Sequence, residues 1–368
     1  MVAVSRLQIN QDIKHGVWKG RGTARNPPNR FERARVEAFD DGWDLPEEVS
    51  RPRTTLIRDA AKSIIARNDS PDLNFERSVN PYRGCEHGCI YCFARPSHAY
   101  LGYSAGLDFE TQIVFKPEAA RLLEKELSKP GYKVGTIVLG SNTDPYQPVE
   151  RTLSITRSLL EVLERFNHPV SIVTKSAGVL RDVDILSRMA AKNLAQVHVS
   201  ITTLDPVLAR AMEPRAASPA RRLAVIAGLA EAGIAVGVLA SPMIPGLNDA
   251  ELESIVEAAA KAGALSAHTI LLRLPHELGD LFSDWLNKHL PERAGHVLSL
   301  IRQSRAGALN DPNFHTRFQG SGPYAALLGQ RMERVVRQLQ LNQERAPLDC
   351  GQFAAPAARA AVAQMSLF

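Results

Sequence analysis

The sequence predicts an α/β protein whose centre is a parallel β-sheet built from six successive βα units. Short apolar runs such as Ile137–Leu139 and Val236–Ala240 alternate with helical patterns in which apolar residues recur every three or four positions. Strand starts recur roughly every 30–40 residues, the length of one βα unit. Nearly continuous apolar strands are typical of a sheet that is buried on both faces. This periodicity fits a partial (β/α)6 barrel or an open doubly wound sheet and does not separate the two.

Six segments carry the strand pattern. They are Arg77–Tyr82, Thr136–Ser141, Val170–Thr174, Gln196–Thr202, Ala235–Ser241 and His268–Leu274. The helix that follows the fourth strand has clear boundaries, because Ser218 followed by Pro219 is typical of a helix start and Gly233 of a helix end. In either architecture, chemistry is expected at the carboxyl ends of the strands.

The segments outside residues 75–275 are expected to be accessory. Residues 1–74 form a basic amino-terminal extension that is partly irregular. Residues 276–345 are expected to form a helical cap, with helices near Leu281–Leu290, Arg293–Arg305 and Tyr324–Leu341. From residue 346 to residue 368, Ala- and Pro-rich sequence predicts a flexible tail.

Composition narrows the class of protein. Of 368 residues, 45% are hydrophobic and 23% are charged, as in ordinary globular domains. No apolar run approaches the about 20 residues that a membrane span needs, and the amino terminus lacks a secretory signal pattern. Three of the four cysteines share one short segment, which does not suit a disulfide framework. We therefore expect a protein without a membrane segment. We expect it in the cytoplasm, because a metal cluster bound by cysteine thiolates, the site argued for below, needs a reducing compartment.

Positive charge is concentrated near the amino terminus. The net charge is only +5, yet seven basic residues and a single acid, Glu32, lie between Lys14 and Arg35. One interpretation is an arm that follows nucleic-acid phosphates. The other is a solvated leader without a partner. DNA is accordingly an expected partner.

Three clustered cysteines indicate a metal site with one open position. They have Cx3Cx2C spacing and are Cys85, Cys89 and Cys92, while Cys350 lies far downstream. A four-iron cluster normally uses four cysteines, so three local ligands would leave one iron open. The alternative is a zinc site completed by His87 or His98. Because zinc sites usually combine two CxxC pairs and no second pair is present, we favour the iron–sulfur cluster.

With Tyr91 before its last cysteine, this motif resembles the signature of the radical S-adenosylmethionine superfamily. The resemblance implies a partial (β/α)6 TIM-like barrel and a [4Fe-4S] cluster on the three cysteines. It further implies that S-adenosylmethionine binds the open iron and is cleaved reductively to a 5′-deoxyadenosyl radical. A reductant such as flavodoxin or ferredoxin would supply the electron.

Further stretches resemble the branch related to spore photoproduct lyase, and within it a bacterial group of uncharacterised proteins. These stretches are Gly20–Gly22, Pro52–Leu56, Asn80–Cys92, Thr143–Pro148 and Met212–Arg215. By position, the resemblance implies cofactor contacts from Tyr91, Ser141, Lys175 and Ser200, and backbone contacts near Ala240.

Lys175 can also be interpreted from its position alone. It follows the third strand, where a buried cation is costly without an anionic partner, and the cofactor carboxylate would be such a partner. The alternative is a lysine that extends to the barrel rim. Arg215, Arg221 and Arg222 follow the fourth strand and suit carboxylate or phosphate groups, although Arg221 and Arg222 also fit the exposed first turn of a helix.

Two positions depart from the repair lyases that this branch resembles. Those lyases have a hydrogen-donating cysteine where this chain has Gly140, and a tyrosine where it has Phe93. Neither residue carries a labile hydrogen, so we do not expect thymine-dimer splitting by that relay. Tyr146 could supply a phenolic hydrogen, but a tyrosine packed in its turn is the favoured interpretation. No catalytic residue is assigned.

The sequence favours a radical enzyme that acts on a nucleic acid, in DNA repair or base modification. The alternatives are radical modification of a protein or small metabolite, and a non-catalytic, metal-stabilised nucleic-acid binding protein. The final residues, Gln364–Phe368, resemble peptides that dock on the bacterial sliding clamp. The alternative there is a chance apolar terminus.

Overall fold

The architecture centres on a sheet of seven strands, with a second sheet of three. The computed structural model describes residues 18–31 and 52–355. The strands are β1 (Thr55–Arg58), β2 (Ile65–Arg67), β3 (Arg77–Val79), β4 (Tyr82–Arg83), β5 (Gln112–Phe115), β6 (Ile137–Leu139), β7 (Val170–Thr174), β8 (Ala195–Ser200), β9 (Ala235–Met243) and β10 (Ser266–Leu271).

The strand order establishes a partial barrel. The larger sheet runs β10–β9–β8–β7–β6–β3–β2, and β3, β6, β7, β8, β9 and β10 are mutually parallel neighbours in chain order. A doubly wound sheet would instead reverse its order at a switch point. Strand β2 adds antiparallel to β3, and no pairing closes the sheet within residues 18–31 and 52–355. The predicted partial (β/α)6 barrel is therefore confirmed.

Each of the six predicted strands is present, and the first is divided. Pro81 lacks a backbone N–H, and the chain changes sheet beside it. Residues up to Val79 pair with β6, whereas Tyr82 pairs with Phe115 in the smaller sheet, whose order is β1–β5–β4. This change of direction brings the following cysteine segment over the carboxyl ends of the barrel strands, which we call the barrel mouth.

Helices cover the outside of the sheet and its carboxyl-terminal side. They are α1 (Asp108–Thr111), α2 (Ala119–Leu127), α3 (Glu150–Leu153), α4 (Ile155–Arg165), α5 (Val183–Ala190), α6 (Pro206–Met212), α7 (Pro219–Glu231), α8 (Leu252–Lys261), α9 (Leu278–His289), α10 (Pro291–Gln303) and α11 (Gly322–Gln338). Short 3-10 helices span Arg95–Leu101, Ala177–Asp182 and Asp249–Glu251. As predicted, Ser218 caps α7, Pro219 is its first residue and Gly233 follows its end with φ of +73°.

Two apolar clusters hold these layers together. The main core lies between the sheet and its outer helices and includes fully buried Ile172, Val197 and Val238. A second cluster joins the cysteine segment to the cap, packing Ile90 with Phe282 and Trp285 of α9. Apolar packing therefore attaches the cap to the cysteine segment, which carries the predicted metal ligands.

The amino-terminal segment 18–31 is docked on the barrel and not free to follow phosphates. Arg21 donates to the carbonyl oxygens of Glu110 (2.7 Å) and Pro52 (3.0 Å). Arg30 pairs with Glu277 at 2.9 Å, and Arg25 pairs with Asp284. The phosphate-following interpretation is therefore wrong for these three arginines. Of the other four basic residues of the cluster, Lys19 is exposed, and residues 14, 33 and 35 lie outside the described ranges.

The beginning of the predicted flexible tail is also docked. Phe353 packs against the rings of Tyr132, Phe166 and His168 at centroid distances of 5.6, 6.1 and 5.7 Å. The Asn193 amide donates to the Pro347 carbonyl at 2.8 Å. Since β7 and β8 begin just after His168 and Asn193, this segment crosses the end of the barrel opposite the mouth.

Two further expectations concern the sliding-clamp peptide and membrane-spanning helices. The peptide Gln364–Phe368, with its expected sliding-clamp partner, lies outside residues 18–31 and 52–355. Within those ranges, none of the helices has the length and apolar character needed to cross a membrane.

Candidate functional site

The cysteine segment lies between β4 and the 3-10 helix Arg95–Leu101, at the barrel mouth. Cys85 and Cys89 are buried, and Cys92 is half-buried. The backbone N–H of Cys85 donates to the carbonyl of Phe109 at 2.9 Å, and that of Cys92 donates to the carbonyl of Cys89 at 3.2 Å. The three thiols therefore share one short loop, which is bonded both within itself and to Phe109, hereafter the cysteine loop (residues 84–92).

Burial is the main influence on these thiols. It raises the pKa of Cys85, Cys89 and Cys92 above the ordinary value. The metal-free thiols are therefore protonated at neutral pH. Metal binding must release these protons, and in return it stabilises thiolates in a site that is otherwise unfavourable for charge.

The histidines proposed for a zinc site have other partners. His98 bonds through Nε2 to the carbonyl of Gln112 at 3.0 Å, and burial lowers its pKa to about 4. His87 Nδ1 lies 3.4 Å from the Asp144 carboxylate. In the part of the chain that the structure describes, no three His, Cys, Asp or Glu side chains are grouped to share one ion. That absence covers the three cysteines as well, so the zinc alternative is weakened only by the other partners of His98 and His87.

A buried ion pair fixes the shape of the cysteine loop. Arg95, with no exposed side-chain surface, donates to the carbonyls of Cys89 (2.9 Å) and Gly88 (3.1 Å) and pairs with Glu110 at 2.5 Å. Glu110 also accepts the backbone N–H groups of Gly22 and Thr23 at 2.9 and 3.1 Å. One carboxylate thus joins the amino-terminal segment to the arginine that holds the loop.

The polar loop after β6 supports the cysteine loop from the other side. Gln147 accepts the N–H of Glu86 at 2.8 Å and donates to the carbonyl of Gly84 at 3.1 Å. Asp144 accepts the backbone N–H of Lys175 at 2.7 Å and also faces His87. The sequence pattern indicated a polar loop here, but not that Asp144 and Gln147 bond to neighbouring strand ends.

Three predicted cofactor residues meet at the barrel mouth. Lys175 Nζ donates to Ser200 Oγ at 2.5 Å and lies 5.5 Å from the centre of the Tyr91 ring. Ser241 adds its carbonyl oxygen 3.5 Å from the ammonium. Burial lowers the pKa of Lys175 to about 8, and its side chain keeps 18% exposure. The lysine therefore reaches the mouth as a cation that is only partly hydrated.

Glu213, which was not predicted, is the centre of this network. It is buried, bonds to the Tyr91 hydroxyl and to Arg222, and accepts from Thr202 Oγ1 at 2.7 Å. Its carboxylate lies 3.5 Å from Lys175 Nζ. Lys175 and Arg222 share this carboxylate, and the nearby Asp144 carboxylate also favours the charged form of Lys175. The Lys175 ammonium is the partly exposed member of this network and can meet an anionic ligand group at the mouth.

The arginines expected near an anion bind protein groups instead. Arg222 pairs with Glu213 and donates to the carbonyls of Ser200 (3.0 Å) and Ala217 (2.8 Å). Arg215 pairs with Glu86 at 2.7 Å. Both guanidinium groups therefore act within the protein. The expectation of a ligand carboxylate or phosphate is wrong for Arg222, which is 1% exposed. It stays a prediction for Arg215, whose side chain is 31% exposed, and for the exposed Arg221.

Two further predicted cofactor residues lie apart from the lysine network. Ser141 Oγ accepts from the Asn80 amide at 3.1 Å, on the side of β6 and the cysteine loop. Ala240 is fully buried in β9, and its carbonyl accepts from Thr269 Oγ1 at 2.8 Å. Both lie at strand ends, and neither bonds to Lys175 within the described residues.

One of the two departures from the repair lyases, Gly140, has a structural basis. Gly140 has φ of +89°, and a Cβ added there would lie 2.2 Å from the carbonyl oxygen of Val173. No side chain fits that position without a backbone shift. Tyr146 is 3% exposed and belongs to the core, as the packed-tyrosine interpretation held. Phe93 remains exposed at the mouth.

Comparison with known sequences gives one family. Residues 79–259 match the profile of the Radical SAM superfamily. An uncharacterized protein of Mycobacterium tuberculosis (strain ATCC 25618 / H37Rv) is 36% identical over 233 residues, which cover 63% of this chain and 68% of that protein. An uncharacterized protein of Methanocaldococcus jannaschii is 30% identical over 196 residues, covering 53% of this chain and 70% of that protein.

Comparison with solved structures agrees on the fold. Spore photoproduct lyase complexed with dinucleoside spore photoproduct superposes with a TM-score of 0.55 at 17% sequence identity, covering 77% of this chain and 79% of the lyase chain. A lyase variant with bound AdoMet and the same dinucleoside gives 0.55 at 16% identity, over 77% and 78% of the two chains. At this identity the likeness establishes a shared architecture.

Proposed function

The chain belongs to the radical SAM superfamily, and we propose that it uses the radical chemistry of that superfamily to modify a nucleic acid. Enzymes of this superfamily use a [4Fe-4S] cluster and S-adenosylmethionine and need an electron donor. When bound, the pair supplies a 5′-deoxyadenosyl radical that abstracts hydrogen. Flavodoxin or ferredoxin is the class of donor proposed here. The barrel and cysteine loop of this chain are the parts that would hold both groups.

The side chains at the mouth fit these cofactors. Cys85, Cys89 and Cys92 are the proposed cluster ligands, since their loop is fixed at both ends and their burial disfavours free thiolates. Tyr91, Ser200 and Lys175 meet beside the cysteine loop, and we propose that they line the cofactor pocket. The partly exposed ammonium of Lys175 suits the carboxylate of S-adenosylmethionine. Ser141 and the backbone at Ala240 are proposed for the outer edge of the same pocket.

Replacement of Lys175 by methionine tests this pocket. We expect affinity for S-adenosylmethionine to fall about tenfold or more, because a charge-assisted hydrogen bond is lost while side-chain length is kept. Equilibrium dialysis of the cluster-loaded full chain measures the change without depending on turnover. Lys192→Met is the matched control, since Lys192 lies on the surface and donates to Asn167. Equal affinities for the two variants would remove Lys175 from the proposal.

The observation that carries the substrate proposal is the shared architecture with a lyase that holds a dinucleoside. That protein binds its ligand in the fold to which this chain is similar over 77% of its length. The chemistry must differ, however. Gly140 leaves no room for a hydrogen-donating side chain, and Phe93 has no hydroxyl. We therefore propose base modification, or repair by another hydrogen relay.

Deuterium transfer identifies the substrate class. The reconstituted full chain, with S-adenosylmethionine and a chemical reductant, is incubated with nucleic-acid, protein and metabolite fractions from deuterium-grown cells. We expect deuterium in 5′-deoxyadenosine only with a nucleic-acid fraction. Transfer from the protein or metabolite fraction alone would contradict the proposed substrate while leaving the radical chemistry in place.

A further inference from the structure

Arg273 is an unpaired cation at the barrel mouth. It lies two residues beyond the end of β10 and is half-buried. Its guanidinium carbon lies 5.2 Å from the ring centres of both Phe93 and Phe318. Within residues 18–31 and 52–355, the guanidinium has no hydrogen bond and no ion pair. Burial, followed by repulsion from Arg317, lowers the pKa of Arg273.

Arg273 is the second member of an alternating row of aromatic rings and guanidinium groups. We call this row the mouth ladder; it consists of Phe93, Arg273, Phe318, Arg317 and Phe314. Its two end rings are exposed, Phe93 by 48% and Phe314 by 51%. Arg317 differs from Arg273 because Asp72 neutralises it at 2.6 Å. Among the described residues, Arg273 is thus the ladder cation without an ion pair, between two rings of which Phe93 is exposed; Asp72 acts on it only from a greater distance.

A buried arginine outside the ladder, Arg305, holds part of the ladder in place before any ligand binds. Arg305 is 2% exposed and donates to the carbonyls of Leu271 and Leu272 at 2.8 and 2.9 Å. It also donates to the carbonyls of Thr316 and Arg317 at 3.2 and 2.8 Å. These bonds join the end of β10 to the segment that carries Phe314, Arg317 and Phe318. The ladder is therefore preorganised, which reduces the entropic cost of binding.

We propose that the mouth ladder binds a single-stranded segment of nucleic acid, with a phosphate on Arg273 and bases stacked on Phe93 and Phe314. This inference rests on the proposed nucleic-acid substrate and specifies its form. Guanidinium groups suit phosphates, and exposed rings suit bases that are not already stacked in a duplex. Phe93 directly follows Cys92, so a base on Phe93 lies beside the proposed cluster.

Oligonucleotide binding tests the ladder directly. Fluorescence anisotropy compares a labelled single strand with its duplex on the cluster-loaded full chain. Arg273→Gln is expected to weaken single-strand binding about tenfold and to reduce the salt slope by about 0.7, the value for one phosphate contact on a single strand. Phe93→Ala is expected to weaken binding about fivefold or more through lost stacking, while Phe93→Trp retains it.

Arg188→Gln is the matched control. Arg188 is 56% exposed, carries the same charge and pairs with Glu164 at 2.6 Å on α5, outside the barrel. It should bind like the unaltered chain. Replacing Arg273 loses two ring contacts but also removes a cation whose burial is unfavourable. Its replacement should therefore change the thermal unfolding midpoint little, which separates lost binding from lost folding.

Three results would overturn the ladder. They are unchanged binding by Arg273→Gln, equal affinity for duplex and single strand, and binding of peptides in preference to oligonucleotides. If Arg273→Gln binds normally while nucleic acid still donates deuterium to 5′-deoxyadenosine, the ladder alone fails. If no nucleic-acid fraction donates deuterium, the substrate proposal fails with it.

Discussion

Replacing any one of Cys85, Cys89 or Cys92 with alanine is expected to abolish formation of 5′-deoxyadenosine from S-adenosylmethionine. Each thiol is half-buried or buried in the same loop, and burial raises the pKa of each. A cluster with three protein ligands cannot lose one and remain intact with an open iron for the cofactor. Iron and sulfide content, the visible absorption of the cluster and product formation measure the effect.

Cys350→Ala provides the matched control for the loop cysteines. Cys350 is exposed and lies in the segment that crosses the opposite end of the barrel. The variant should retain iron, sulfide and product formation. Loss of the cluster in Cys350→Ala, or its retention in one of the three loop variants, would show that the ligand set is assigned wrongly.

Replacing Glu110 with glutamine is expected to lower the free energy of unfolding by about 3–5 kcal/mol, the cost of breaking a buried ion pair by removing one partner. Arg95 would keep its charge without a counter-ion in a site with no exposed side-chain surface. The acceptor for the N–H groups of Gly22 and Thr23 would also weaken. Urea unfolding of the cluster-free chain measures the change.

The control for Glu110 is Glu118→Gln, which disrupts a surface pair with Arg121 at 2.7 Å. Solvent screens that pair, so its loss should change stability little. Limited proteolysis should cut within residues 18–31 of Glu110→Gln more readily than in the control. Similar unfolding curves for the two variants would mean that the buried pair does not hold the cysteine loop.

Sequence periodicity was sufficient to predict the strands of the barrel, because each strand is one short, continuously apolar segment of the chain. Val170–Thr174 has the predicted boundaries, and Ala235–Met243 begins where expected and extends by two residues. The first strand was predicted too long, since nothing in an apolar count shows that the chain changes sheet at Pro81. The docked segments escaped prediction for a related reason: their partners lie far away in sequence.

The site divides in the same way. The cysteines and Tyr91 occupy one short motif, and Lys175 and Ser200 stand at strand ends, where parallel strands bring side chains together. Glu213 lies in the resembling stretch Met212–Arg215, but that resemblance assigned it no role. Its partners Tyr91 and Arg222 are 122 and 9 residues away in sequence, so only the fold brings them together. The role of Arg273 could not be predicted from the sequence either, since only the fold places Phe93 and Phe318 beside it.

The contact between Gly22 and Gly88 has a consequence for biosynthesis. A Cβ at Gly22 would lie 1.8 Å from the Gly88 carbonyl oxygen, so the two backbones touch directly. The carboxylate that secures this contact belongs to Glu110, which the ribosome adds 88 residues after Gly22. Residues 18–31 therefore cannot form this contact until Glu110 has left the ribosome. This segment is synthesised early but docks on the barrel late in folding.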